Sequence, residues 1–261
     1  MEDLKIHKTA IIHPDAKLAA SVTVGPYSVI GPHVSLAENV QVGSHCVIDG
    51  RTTIGKNCRL FTGAVIGSEP QDKKFNGVDD VFLTIGDNNI IREYVTVNPG
   101  TLEGGGKTIV GNNNLFMAYS HVAHDCVIGN NCVMANAGTL AGHVTLEDNA
   151  VVGGLSAVHQ FVRLGRLSII GGCSKVVQDI PPFSMCDGHP ATVYNLNIVG
   201  LRRAQIESST VKKLKTAFRF LFHSGLTKTS AIAKIEKEVE SCPEVDHLVF
   251  FAKTTKRGLC S

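Results

Sequence analysis

VGNNNLFMAYSHVAHDCVIGNNCVMANAGTLAGHV, residues 110–144, carries an apolar residue at every sixth position: Val110, Phe116, Val122, Ile128, Met134 and Leu140. The series runs on through Leu146, Val152, Val158, Leu164, Ile170 and Val176. A helix repeats its apolar face at three and four residues and a half-buried strand at two, so a period of six fits neither alone. It fits a β-solenoid of hexapeptide units, each a short strand ending in a turn. Three such units make a triangular coil, and the apolar residue points into the core.

Toward the N-terminus the same period holds at Ile6, Ile12, Leu18, Val24, Ile30, Leu36, Val42, Ile48, Ile54, Leu60 and Ile66. It then resumes at Ile85, Ile91 and Val97. Eighteen residues per coil place Val122, Leu140, Val158 and Val176 one above another, and counting back through the gaps adds Val97 and Ile66 to that face. Both insertions, 67–84 and 98–109, therefore leave the coil at one edge. Long excursions from a regular solenoid tend to be functional, so a cleft is predicted there.

Beyond Pro181-Pro182 the period stops. SSTVKKLKTAFRFLFHSG, residues 208–225, sets Val211, Leu214, Phe218, Leu221 and Phe222 on one helical face, with Gly225 placed to end the helix. Further helices are predicted at 228–241 and 243–254. Together they form a helical cap over part of the solenoid and its end, where an open coil would invite strand addition. The division predicted is a solenoid over 1–186 and a helical domain over 187–261.

Composition agrees: 26 glycines, nine prolines and no tryptophan suit many short strands and turns. A formal charge of +2 gives no electrostatic reason to expect nucleic acid. The start MEDLKIHKTA lacks the features of a signal peptide and no stretch is long and apolar enough for a bilayer span. A cytoplasmic protein without stable membrane insertion is expected. None of the eight cysteines forms a CxxC pair, and Cys46, Cys58, Cys126 and Cys132 share the fifth repeat position, which predicts buried free thiols.

Histidines gather at the predicted edge: His121, His124, His143 and His159. His124, His143 and His159 belong to three successive coils of one face. Such an array suits proton transfer near neutral pH or metal binding, while any one histidine alone equally fills a turn. Asp125 either orients the His124 imidazole or satisfies backbone donors at a corner.

At these residues the chain resembles a known family. HVAHDC, TLAGHV, AVHQF, IGGCS, QDIPP and NIVGLRR stand in the order and spacing of the UDP-N-acetylglucosamine O-acyltransferases, over essentially the whole chain. The resemblance implies a mainly β fold, a left-handed parallel β-helix of hexapeptide repeats followed by a C-terminal α-helical domain. It implies transfer of an (R)-3-hydroxyacyl group from acyl carrier protein to the 3-position of UDP-N-acetylglucosamine, the first step of lipid A biosynthesis. No cofactor and no metal are implied, and the assembly implied is a homotrimer with active sites between subunits.

Residue by residue, the resemblance makes His124 the general base, Asp125 its orienting partner, and the Gly142 N–H the oxyanion donor. Gln71, Asp72 and Lys74 match a sugar-nucleotide motif in the first insertion. His121, His143, His159, Gln160, Asn197 and Arg203 match further substrate contacts, with Arg203 suited to the diphosphate, and Gly172 matches a position that sets acyl-chain length. Two departures stand out: NPGT at 98–101, where the family commonly has an arginine before the glycine, and His189-Pro190. An acidic carrier protein would be met by local cations, for which Arg163, Arg166, Lys212, Lys213, Lys215 and Arg219 are candidates.

Three alternatives compete. A related N-acyltransferase of the same pathway shares the solenoid but normally carries a separate N-terminal domain, whereas hexapeptides begin here at Ile6. A γ-class carbonic-anhydrase-like zinc protein uses three solenoid histidines, but the insertions and C-terminal helices argue against it. A non-catalytic scaffold leaves the stacked imidazoles unexplained. The residues leave open the preferred acyl length and whether the acceptor carries a 3-hydroxyl or a 3-amino group.

Overall fold

The period of six becomes, in a computed structural model, a left-handed parallel β-helix built of mostly two-residue strands. Residues 6–77 and 80–261 are described; Val78 and Asp79 of the first insertion, and the opening MEDLK, lie outside them. The strands line up in three sheets of nine, eight and ten members, and adjacent strands are parallel except in one terminal hairpin. The apolar residue that ends each strand stacks on its counterpart one coil away, as in Ile66↔Val97, Val97↔Val122, Val122↔Leu140, Leu140↔Val158 and Val158↔Val176. Both insertions thus depart from neighbouring strands of the nine-stranded sheet, as the count predicts.

Three residues after many of these apolar positions the chain turns a corner with φ near +60°, as at Asn57, Asn113, Asn131 and Asn149. Asparagine tolerates this left-handed region better than most side chains, which explains its recurrence. Asp125, His143 and Phe161 occupy the same corner position with φ 59, 62 and 66. The same strain recurs at corners far from the cleft, such as Asn57, Asn149 and Leu167, and so does not itself mark the site.

The fifth repeat position is buried and small, and the four predicted cysteines are free thiols there. Each S–H donates to a carbonyl farther along the chain: Cys46 to Phe61 O, Cys58 to Gly86 O, Cys126 to Ala141 O and Cys132 to Glu147 O, at 3.1–3.3 Å. Burial pushes the Cys126 and Cys132 thiols up to about 12, so they stay protonated and unreactive.

The C-terminal end differs from the expectation of helical shielding alone. Strand Ser184–Gly188 adds in parallel to Ile169–Ile170, and Ala191–Leu196 folds back antiparallel upon it, so a hairpin terminates the ten-stranded sheet. Its residues follow a two-residue alternation that a search for sixes passes over. Residue 186 falls inside this hairpin. Helices α1 (Ile198–Arg203), α2 (Ser208–Phe222), α3 (Lys228–Glu238) and α4 (Pro243–Thr254) follow. α3 stops short of 241 because Val239 is already extended and Pro243 must open α4 from an extended predecessor. The predicted face of α2 packs inward, but Phe220 is buried too, beneath the Lys234 ammonium. None of these helices is long and apolar enough to cross a membrane.

The helical segment docks on the solenoid through Glu147. Its carboxylate accepts hydrogen bonds from His247 Nε2 at 2.7 Å and the Arg166 backbone N–H at 2.8 Å, and Arg163 lies beside it at 3.5 Å. Arg163 also packs 4.2 Å over the Phe251 ring and donates to Thr254. It is therefore committed within the chain, which counts against it as a free cation for a carrier protein. Burial alone would raise the Glu147 carboxyl, but His247, the Arg166 N–H and Arg163 outweigh it and hold the group below the usual carboxylate range. A carboxyl whose folded value lies below its unfolded one contributes stability that is full above about pH 4.5 and is lost as pH falls through the folded value. Glu147→Gln should accordingly cost about 1–3 kcal/mol at pH 7. The gap to the native protein should narrow as pH falls below 4.5 through the folded value; urea unfolding across that acidic range and at pH 7 checks this.

Candidate active site

Strand His121–Val122 ends in a corner that carries His124 and Asp125, and the next coil supplies Gly142 and His143. The Asp125 carboxylate is almost wholly enclosed, and a buried charge needs partners. It has three. Oδ1 accepts the Thr101 backbone N–H at 2.9 Å, while Oδ2 accepts the Thr101 hydroxyl at 2.6 Å and His124 Nδ1–H at 2.8 Å. An ionised carboxylate can only accept, so His124 Nδ1 carries the proton and Nε2 is left as the basic nitrogen.

His124 lies over Gly142. A Cβ at that position would sit 2.5 Å from His124 Cε1 and 2.7 Å from Nε2, so glycine is required for the imidazole to take its place. The Gly142 amide N–H makes no hydrogen bond among the described residues. The His143 ring meets His124 edge-on at 5.2 Å and stacks on Phe161 at 4.4 Å. Its Nε2 stays 3.9 Å from Asp125 Oδ2, beyond hydrogen-bond reach. Burial lowers the His143 imidazole against the opposing pull of Asp125, and burial with some help from His124 lowers that of His121. With both lowered, His143 and His121 are mainly neutral at pH 7, so neither offers Asp125 a competing cation.

The insertions wall a cleft of about 800 Å³ over this corner, lined by Gln71, Asp72, Lys74, Glu103, His124 and His143 among others. Their roots are tied by Asn98, whose amide donates to Ser68 O and Glu69 O. Their tips meet where Lys74 Nζ pairs with Glu103 at 2.7 Å. Both of those side chains are well exposed, so the pair is weakly held.

The cleft unites Gln71, Asp72, Lys74, His124, His143 and Gln160, with Asp125 and Gly142 directly behind. Other candidates stand apart within the single chain. His121 shares a 2.6 Å hydrogen bond with Thr96 on the strand flank. His159, at the second repeat position rather than the third or fourth of His124 and His143, is exposed and bonds the Gln160 carbonyl. Asn197 caps α1 by accepting from Gly200 N–H and donating to Leu167 O; Arg203 ends that helix, exposed. Gly172 turns the corner after Ile169–Ile170, in another sheet, where an added Cβ would meet only Gly154 O at 3.3 Å.

Sequence reasoning missed Thr101, Thr96 and Phe161. Thr101 stands in the flagged NPGT stretch, and Phe161 shares the corner position of Asp125 and His143 one coil on. His124, Asp125 and His143 bring possible ligand atoms within 4.8 Å of one another. Asp125, however, already accepts three hydrogen bonds and His124 Nδ1 is spent on it, which is the donor set of a proton relay rather than of an open metal site.

Comparison with known proteins bears on this arrangement. The family model described as UDP N-acetylglucosamine O-acyltransferase, Domain 2, matches residues 179–260, and the bacterial transferase hexapeptide model matches 107–141. An acyl-[acyl-carrier-protein]–UDP-N-acetylglucosamine O-acyltransferase of Aquifex aeolicus is 59% identical over 98% of both chains. The crystal structure of UDP-N-acetylglucosamine O-acyltransferase from Moraxella catarrhalis superposes with a TM-score of 0.94 at 38% identity, covering 99% of this chain and 100% of its own. UDP-N-acetylglucosamine acyltransferase from Campylobacter jejuni gives 0.92 at 39% identity, covering 98% and 99%.

Proposed function

This chain belongs to the UDP-N-acetylglucosamine O-acyltransferase family, and on that premise we propose how its cleft transfers an acyl group from acyl carrier protein to UDP-N-acetylglucosamine. The observation that carries the reading is the hydrogen-bonded chain Thr101–Asp125–His124 ending at the cleft. His124 Nε2 removes the proton of the sugar 3-hydroxyl as its oxygen attacks the thioester carbonyl of an (R)-3-hydroxyacyl chain. The Gly142 N–H receives the developing oxyanion. Collapse breaks the carbon–sulfur bond, and the imidazolium returns its proton to the departing carrier thiolate, leaving an ester and a free thiol. Asp125 holds the ring in the required tautomer and stabilises its protonated form.

Lys74, released from Glu103, suits the nucleotide phosphates, with Gln71, Asp72 and Gln160 as polar neighbours of the sugar. Gly172, Asn197, Arg203 and His159 stand off the cleft of their own chain, which supports a homotrimer in which a neighbouring subunit presents them. Substrates of this kind place the enzyme in the cytoplasm at the first step of lipid A biosynthesis.

The test is an acyl-transfer assay crossing UDP-N-acetylglucosamine and its 3-amino analogue with carrier-linked 3-hydroxyacyl chains of several lengths. Ester formation on the 3-hydroxyl sugar should dominate; amide formation alone would replace this reading with the N-acylating one. Metal analysis accompanies it: stoichiometric zinc, with activity lost on chelation, would favour a metal centre at His124 and His143 instead.

A further inference from the structure

The second insertion does more than wall the cleft. Thr101 gives Asp125 two of its three hydrogen bonds, one to each carboxylate oxygen, and is itself only 6% exposed. It is held firmly: its carbonyl accepts from the Gly104 and Gly106 N–H groups, and its hydroxyl oxygen caps the short 3-10 turn Leu102–Gly104. Gly104 lies flat against the carboxylate, where any Cβ would strike Asp125. From the same insertion the buried Thr108 hydroxyl accepts the Asp125 backbone N–H at 2.8 Å. The loop and the strand Lys107–Val110 that follows it therefore fix both the side chain and the backbone of the residue that orients His124.

We propose that Thr101 is a positioning residue for catalysis: by donating its hydroxyl to the oxygen that also receives His124 Nδ1–H, it sets how strongly Asp125 draws on that imidazole. This rests on the reading of His124 as base. The two donors compete for one oxygen, so electron density given to the threonine hydroxyl is withheld from the histidine. Removing the hydroxyl leaves the Thr101 N–H bond and the ion in place but strengthens the carboxylate's hold on protonated His124. The acidic limb of the pH profile then moves upward. Other titratable groups around the imidazole are His143, which meets it edge-on, and His121; Asp72, Lys73, Lys74 and Glu103 line the same cleft. Each is unaltered by the substitution.

The experiment compares kcat/KM against pH for the native enzyme, Thr101→Val, Thr101→Ser and Asp125→Asn, with thermal unfolding run on each. Valine keeps the shape and deletes the hydroxyl; serine restores it. Thr101→Val should raise the acidic limb by about 0.5–1 unit, and Thr101→Ser should bring it back. KM for UDP-N-acetylglucosamine should change little, because Thr101, although it edges the cleft, is buried and spends its hydroxyl on Asp125. An acidic limb that stays fixed in folded Thr101→Val overturns the proposal, even if kcat falls. Should Asp125→Asn be strongly impaired while that limb stays fixed, Thr101 alone is misassigned. Should Asp125→Asn match the native enzyme, the dyad reading fails and takes this proposal with it.

Discussion

His124→Ala should fold, bind the sugar nucleotide and lose at least about 10²-fold in kcat for acyl transfer, the usual contribution of a general base. The geometry separates the base from its scaffold. Asp125 keeps both Thr101 hydrogen bonds when the imidazole is removed, so no buried charge is orphaned and the corner has no cause to unfold. The sugar-nucleotide side chains, Gln71, Asp72 and Lys74, come from the first insertion and do not depend on His124 for their place. The loss should therefore appear in kcat with KM nearly unchanged, the signature of an interaction made mainly in the transition state. His143→Ala and His121→Ala should cost less and act more through KM. Both are mainly neutral at pH 7, one stacked on Phe161 and the other bonded to Thr96, neither carrying the Asp125 hydrogen bond that prepares a base. Steady-state kinetics with carrier-linked substrate decides it. A folded His124→Ala enzyme with near-native turnover would remove the mechanism and leave the fold standing.

The coil was legible because its cause is local: one apolar residue in six must face the core, and no other architecture repeats at that interval. The same count puts both insertions on the edge of Ile66, Val97 and Val122, where the strands pair in register. What the count cannot carry is the path of an insertion once it leaves the coil. Nothing in the spacing of Thr101 and Asp125 says that their side chains meet; that contact depends on Gly104 and Gly106 folding the loop back upon itself. The hairpin at Ser184–Gly188 escaped for a related reason, since its partner strand lies beyond the last repeat and pairs antiparallel. His159 differs: it lies on the next coil but at the second repeat position, one short of His124's and two short of His143's, and within its own chain it is exposed and bonds the Gln160 carbonyl.

Ile128→Asp should leave no folded protein at 25 °C, whereas Val127→Asp, one residue earlier, should fold. Ile128 is 2% exposed and stacks in register between Val110 and Leu146; Val127 faces outward at 42% exposure. Losing the buried isoleucine side chain costs about 2–5 kcal/mol. Enclosing an unpaired carboxylate adds several kcal/mol even after relaxation, and no cation can reach into an apolar stack. A domain has only about 5–15 kcal/mol to lose. Position within the solenoid sharpens the effect: each coil is stabilised chiefly by its neighbours, so a broken coil in the middle separates those on either side and exposes two unsatisfied sheet ends. The coil in question also adjoins the corner that holds His124 and Asp125, so the site is lost with it. The outward position asks only that a carboxylate enter solvent beside the Ile109 and Thr145 side chains on the same face. Soluble yield and circular dichroism of the two variants, prepared side by side, distinguish the faces; a soluble Ile128→Asp protein melting at the native temperature would contradict the assignment of this residue to the core.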